Sequence, residues 1–163
     1  MFPTLLSFSI PREKTMNKLT LGALASLALT VTSCNHLEVP TAYSANLSGA
    51  NQRPPVTTSA TGLVGLTLKG RTLTVLGTFQ NLSSEAIGAH IHGPADENTN
   101  ASVLFPLTID QVTNGARSGR VTGTFTLTDQ QMEWLNNRML YVNVHSQAHP
   151  DGEIRGQVER LLK

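Results

Sequence analysis

The sequence predicts an all-β domain, an antiparallel, Greek-key-like β-sandwich or barrel with one short helix near residues 129–137. Three observations carry this expectation. Short runs rich in Val, Leu, Thr and Phe recur through residues 42–163, divided by Gly, Pro and Asn. Several of them alternate apolar and polar side chains with the period-two pattern of a half-buried strand. One segment alone carries helix-start chemistry, and no internal repeat or second domain interrupts the pattern.

The elements follow in order. Residues 43–47 form the first predicted strand. Residues 61–68 and 71–79 form a hairpin across the turn signal Lys69-Gly70. In its second arm Leu73, Val75 and Phe79 share one parity, and Thr72, Thr74 and Thr78 the other. Further strands are expected at 88–92, 103–107, 119–127, 139–145 and 153–158. Thr128 and Gln131 have capping-box spacing, and Met132, Trp134 and Leu135 offer a small apolar helix face. Pro54-Pro55 stiffens an extended loop, and Gly93-Pro94 and Pro150-Asp151-Gly152 read as turns.

The front of the chain reads as a targeting segment. Residues 16–34 hold one positive charge, Lys18, then an apolar run, then small residues before Cys34. Val31-Thr32-Ser33-Cys34 resembles the bacterial lipobox, in which the cysteine is lipidated and becomes the new N-terminus. The expected organisation is a leader over 1–33 with Met16 as the better start, a tether over 34–41, and a domain over 42–163. The expected location is the bacterial cell envelope, with the exported domain held to the membrane through its lipid. Cys34 is the only cysteine, so the chain can form no intramolecular disulfide and the domain has no thiol nucleophile. The whole chain carries a formal charge of +1, while residues 34–163 hold nine basic and ten acidic side chains. That balance gives no electrostatic reason to expect nucleic acid as a partner.

Two distant segments concentrate the chemistry. One is Gly88-Ala89-His90-Ile91-His92-Gly93-Pro94. The other is Tyr141-Val142-Asn143-Val144-His145, running on to His149. On a strand, His90-x-His92 places two imidazoles on one face, about 7 Å apart at Cα. With Ile91, Val142 and Val144 facing the core, His90, His92 and His145 face outward. Ile154 and Val158 then face in. Glu153 and Arg155 face out, with Arg155 expected in a surface ion pair. His149 and Asp151 lie in the adjoining loop. Three histidines, with His149 or water as a fourth ligand, suit copper or zinc. The competing reading is structural: the imidazoles hydrogen-bond one another, Tyr141, Asn143 or the backbone, and tie strand ends together. No nucleophile elbow, P-loop or dinucleotide fingerprint is present.

Three ordered motifs carry a family resemblance. Leu47-Ser48-Gly49-Ala50-Asn51-Gln52-Arg53-Pro54-Pro55-Val56 resembles the opening of the chordin-type (CHRD) domain. Ala89-His90-Ile91-His92-Gly93-Pro94-Ala95 resembles its middle motif. Tyr141-Val142-Asn143-Val144-His145-Ser146, followed by His149-Pro150-Asp151-Gly152-Glu153-Ile154-Arg155-Gly156-Gln157, resembles its close. Gln52 stands where the family usually has an acid, and Ser146 where it usually has threonine. The resemblance covers about residues 42–159 and implies an all-β domain of secreted or surface proteins. In chordins such domains occur in an extracellular growth-factor antagonist, and bacterial members are often single domains behind a signal peptide. The implied role is a non-enzymatic surface binding or interaction module for an unnamed protein or surface ligand. The alternative is a copper- or zinc-binding protein. Over a few residues the histidine pattern also resembles copper/zinc superoxide dismutase, which implies a redox enzyme by fold-level analogy.

Overall fold

Alternation along the chain becomes the inside and outside of a closed sheet. The computed structural model describes residues 38–111 and 116–161. Its strands are β1 (Thr41–Ser48), β2 (Thr61–Lys69), β3 (Thr72–Gln80), β4 (Ala86–His92), β5 (Val103–Gln111), β6 (Gly119–Thr126), β7 (Tyr141–Ser146), β8 (His149–Gln157) and the short β9 (Glu159–Arg160). Among the described residues one α-helix, α1 (Asp129–Asn136), joins β6 to β7, and one 3-10 turn, Gly49–Asn51, follows β1. All these residues belong to one compact unit, His36–Lys163.

Every pairing between these strands is antiparallel, in the order β2-β3-β6-β5-β4-β7-β8-β1-β9. β1 also pairs with β2 along its whole length, from Thr41 opposite Leu68 to Ser48 opposite Thr61. The sheet therefore closes into an eight-stranded barrel, which decides between the two expected architectures. The meander β4-β5-β6 has β3 beside β6 and β7 beside β4, so the Greek-key expectation holds. Closure leaves few free edges to be managed. At the seam β1 meets β8 through Ser48 opposite Arg155. There a Cβ on Gly156 would lie 2.4 Å from the Asn46 carbonyl oxygen, so only glycine permits the approach.

The barrel interior is filled by the predicted parity. Leu73, Val75 and Phe79 of β3 point in, as do Ile91, Val142, Val144, Ile154 and Val158. Tyr43, Leu47, Val64, Leu66 and Val121 complete the same core. Burial of this kind is worth about 25 cal/mol per Å2 of apolar surface, which makes the interior the main source of stability. The helix starts on the expected capping box. Thr128 Oγ1 accepts from the Gln131 amide, and Gln131 Oε1 accepts from the Thr128 amide. Leu135 is buried, while Met132 and Trp134 pack against the core from partly exposed positions.

Three local expectations need correction. Pro150-Asp151-Gly152 lie within β8, and the turn is made by Gln147-Ala148 between Ser146 and His149. The pairing of β7 with β8 shifts register there, and Gly152 (φ +120°) absorbs the irregularity. Glu153 and Arg155 do leave the barrel interior, as parity requires, yet they are 0% and 1% exposed. The loops after β1 and β4 lie over that outer face, so β7 and β8 are covered on both sides. Third, among the described residues Arg155 forms no ion pair: its guanidinium donates to neutral oxygens in the β4–β5 loop. The leader, Cys34 and the first half of the tether, to residue 37, lie outside the described residues.

Candidate metal centre

The outer face of β4, β7 and β8 is a polar layer largely covered by two loops. His90 lies opposite Asn143, His92 opposite Tyr141, and Gly88 opposite His145. Because Gly88 has no side chain, the ring of His90 can lean along the strand toward His145. A Cβ at Gly88 would come within 3.2 Å of His90 Cε1. Three imidazoles consequently meet, each offering one ring nitrogen, and those nitrogens all lie within 4.8 Å of one another.

Backbone carbonyls orient two of the rings. His92 Nδ1 lies 3.0 Å from the Ala101 carbonyl oxygen, and His145 Nδ1 lies 2.9 Å from the Pro150 carbonyl oxygen. A carbonyl only accepts, so each neutral ring carries its proton on Nδ1 and leaves Nε2 unprotonated as an acceptor. His145 Nε2 receives a hydrogen bond from His90 Nδ1 at 3.0 Å. His92 Nε2 is buried without a hydrogen-bond partner. A buried polar nitrogen left unpaired costs free energy and calls for an explanation. His92 is 7% exposed and His145 8%, and His90 is half-buried.

A stack holds His92 from the side. The Tyr141 ring lies parallel to it, 4.9 Å between centroids, and the Arg155 guanidinium carbon sits over Tyr141, 3.5 Å from its ring centroid. Arg155 also clamps the β4–β5 loop, donating to the carbonyls of Asp96 and Thr99 at 2.7 and 2.9 Å and to Asn100 Oδ1 at 3.0 Å. Tyr141 Oη bonds Ala101, the residue whose carbonyl fixes His92. Arg155 and Tyr141 are thus positioning residues for the imidazole.

Beside the histidines a carboxylate ties the cover together. Glu153 accepts from Thr58 Oγ1 (2.6 Å), the Ser83 amide and hydroxyl (2.8 Å each) and Ser146 Oγ (2.5 Å). Burial alone raises its pKa, but these hydrogen bonds from Ser146, Thr58 and Ser83 outweigh burial and hold it below the usual value. Gln52 donates to Asn143 Oδ1 at 2.6 Å, so the position expected to be acidic makes a neutral buried amide pair. Gly152 makes room for it, since a Cβ there would meet Asn143 at 2.4 Å.

Of the four histidines read as candidates, the structure brings together His90, His92 and His145. His149 begins β8, partly exposed, at a cleft with Pro54, Pro150 and Asp151, and does not join the group. The carbonyls of Ala101 and Pro150, the Gly88 gap and the Arg155–Tyr141–His92 stack were missed by sequence reasoning. Only Gly88, opposite a histidine in register, had a sequence signal.

Desolvation by burial lowers the pKa of all three histidines, with His92 brought down to about 4, so the cluster is neutral at pH 7. Unfolded histidine titrates near about 6.5. The unfolded chain therefore takes up protons first as the pH falls. Stability is complete above about pH 6.5 and declines toward pH 4, where His92 itself protonates. Urea unfolding at pH 7.5 and 4.5 should show this loss, reduced in His92→Gln; equal loss in both proteins would remove the histidine from the account.

The class defined by this geometry is an eight-stranded Greek-key barrel whose outer polar layer, under its loops, contains a histidine cluster. The CHRD domain family model matches residues 43–158, and the chain belongs to that family. No curated protein and no solved structure matches the chain. Family membership supports a binding or interaction module in general terms.

Proposed function

We propose that this protein is a non-enzymatic binding module of the bacterial cell envelope, and that its CHRD barrel binds one copper or zinc ion through His90, His92 and His145. The observation that carries the reading is the buried, unpartnered Nε2 of His92, aimed at the meeting point of two further imidazoles. Metal-bound histidines usually donate their other nitrogen to a carbonyl or carboxylate, which sets tautomer and orientation. His92 and His145 already have that arrangement. Metal–nitrogen bonds of about 2.0–2.1 Å separate neighbouring ligand nitrogens by about 3.3–3.5 Å. The cluster needs only small side-chain rotations to reach this. For His90 to bind through Nδ1, its proton moves to Nε2 as the His90–His145 hydrogen bond is replaced. A redox role built on the same site is a further step that nothing in the cluster requires.

Metal analysis and calorimetric titration test the reading. The expected result is one equivalent of copper or zinc per chain, lost in His145→Ala. Absence of stoichiometric binding by a folded protein would overturn it and the redox alternative together.

The anchor is the second part of the proposal. The run of residues 16–34 and the lipobox-like Val31-Thr32-Ser33-Cys34 support export and acylation of Cys34. Intact-mass spectrometry of protein recovered from bacterial membranes should find an acylated N-terminal Cys34. An unmodified Cys34 would remove the anchor and leave the barrel's chemistry untouched.

A further inference from the structure

We propose that the three-histidine site selects monovalent copper over divalent copper and zinc. This rests on the metal reading above and deepens it by assigning the charge of the ion.

The donor set is the first argument. All three ligands are neutral imidazoles, and no carboxylate joins the group among the described residues. The nearest buried carboxylate, Glu153, spends both oxygens on four hydrogen bonds to Thr58, Ser83 and Ser146. Asp151 is exposed and offers no ligand to the group; its charge acts on His145 only through space. An ion entering this layer keeps its whole charge. The desolvation cost of a buried charge scales with its square in the Born picture, so a divalent ion faces roughly four times the penalty of a monovalent one.

The fixed field is the second argument. The Arg155 guanidinium is buried and stacked through Tyr141 onto His92. The hydrogen bonds it makes all end on neutral acceptors, namely the carbonyls of Asp96 and Thr99 and the side-chain amides of Asn100 and Gln157. Among the described residues no carboxylate is hydrogen-bonded to it, and those of Asp96 and Glu97 act on it only through space. A second positive charge beside it is disfavoured in proportion to its size, and the low dielectric of the layer strengthens that effect.

Coordination number is the third. Zinc completes a tetrahedron, and divalent copper prefers four or more ligands in a tetragonal array, so either ion needs water besides the three imidazoles. Monovalent copper is satisfied by three nitrogens in a trigonal arrangement. His149, the one further histidine near these strands, stands outside the group. Ligand softness does not separate the candidates, because imidazole serves copper and zinc alike. Charge and ligand number do.

The test uses the full chain carrying Cys34→Ser, so that the lone thiol cannot compete for copper. Under anaerobic conditions Cu(I) is titrated against the chromophoric chelator bicinchoninate, and Cu(II) and Zn(II) are titrated separately. The expected result is one equivalent of Cu(I), bound about 100-fold more tightly than either divalent ion, a gap of two powers of ten in dissociation constant. His92→Ala and His90→Ala, each shown to be folded by circular dichroism, should lose it. If Cu(II) or Zn(II) binds as tightly as Cu(I), the monovalent assignment is overturned while the metal reading stands. If no ion binds stoichiometrically, both fall. If Cu(I) binds equally well to the histidine variants, the copper lies elsewhere and the assignment is again overturned.

Discussion

Saturating the site with its metal should raise the midpoint of thermal unfolding by about 10 °C, and His92→Ala should abolish that rise. A ligand that binds only the folded state, present at a hundredfold excess over its dissociation constant, stabilises it by about 2.7 kcal/mol. For a domain of this size each kcal/mol moves the midpoint by about 4 °C. His92 is the residue to replace because its free Nε2 has no partner to lose in the metal-free protein. The substitution thus removes a ligand without stranding another hydrogen-bonding group at that atom, although the stack on Tyr141 is lost as well. Differential scanning calorimetry of both proteins, with and without metal, makes the comparison. An equal rise in the variant would place the bound ion away from the cluster.

Glu153→Ala should destabilise the fold by about 3–5 kcal/mol, among the largest effects available to a single substitution outside the apolar core. The carboxylate is fully buried and is the shared acceptor for donors on three separate segments: Thr58 after β1, Ser83 before β4 and Ser146 on β7. Removing it strands a backbone amide and three hydroxyls, and an unsatisfied buried donor costs about 1–3 kcal/mol. Rotation of the hydroxyls toward other acceptors keeps the total below the full sum. Glu153→Gln should cost far less, about 1–2 kcal/mol. Its carbonyl oxygen can still serve Thr58 and the Ser83 amide, while the hydroxyls of Ser83 and Ser146 can turn to accept from its NH2 group. Urea unfolding of the two variants separates the outcomes. A Glu153→Ala protein within about 0.5 kcal/mol of the parent would mean that the covering loops do not depend on this acceptor.

Much of the fold was legible because alternation is a direct consequence of the pleat. Leu73, Val75 and Phe79 needed no neighbour to declare their side of β3, and Ile91 between two histidines announced the orientation of β4. The capping box of Thr128 and Gln131 was equally local. Proline, aspartate and glycine in a row also form a local signal, and here it misled. Strand β8 accommodates Gly152 as an irregularity because pairing with β7 and the Gln52–Asn143 contact outweigh local turn preference. Arg155 misled differently. Parity sent it outward correctly, but outward does not mean solvated when a loop returns over the sheet.

The same distinction governs the site. Sequence by itself determined the family, the strand faces, and that His90, His92 and His145 leave the barrel on its outer side. Each of these follows from residue order and a backbone period of two. Only the tertiary structure decided that the sheet closes as a barrel, that β4 lies beside β7, and that the three imidazoles converge while His149 stays apart. It alone revealed that the carbonyls of Ala101 and Pro150 accept hydrogen bonds from Nδ1 of His92 and His145 and so leave each Nε2 unprotonated. The physical reason is that strand adjacency and loop return join residues tens of positions apart, and no local period encodes them.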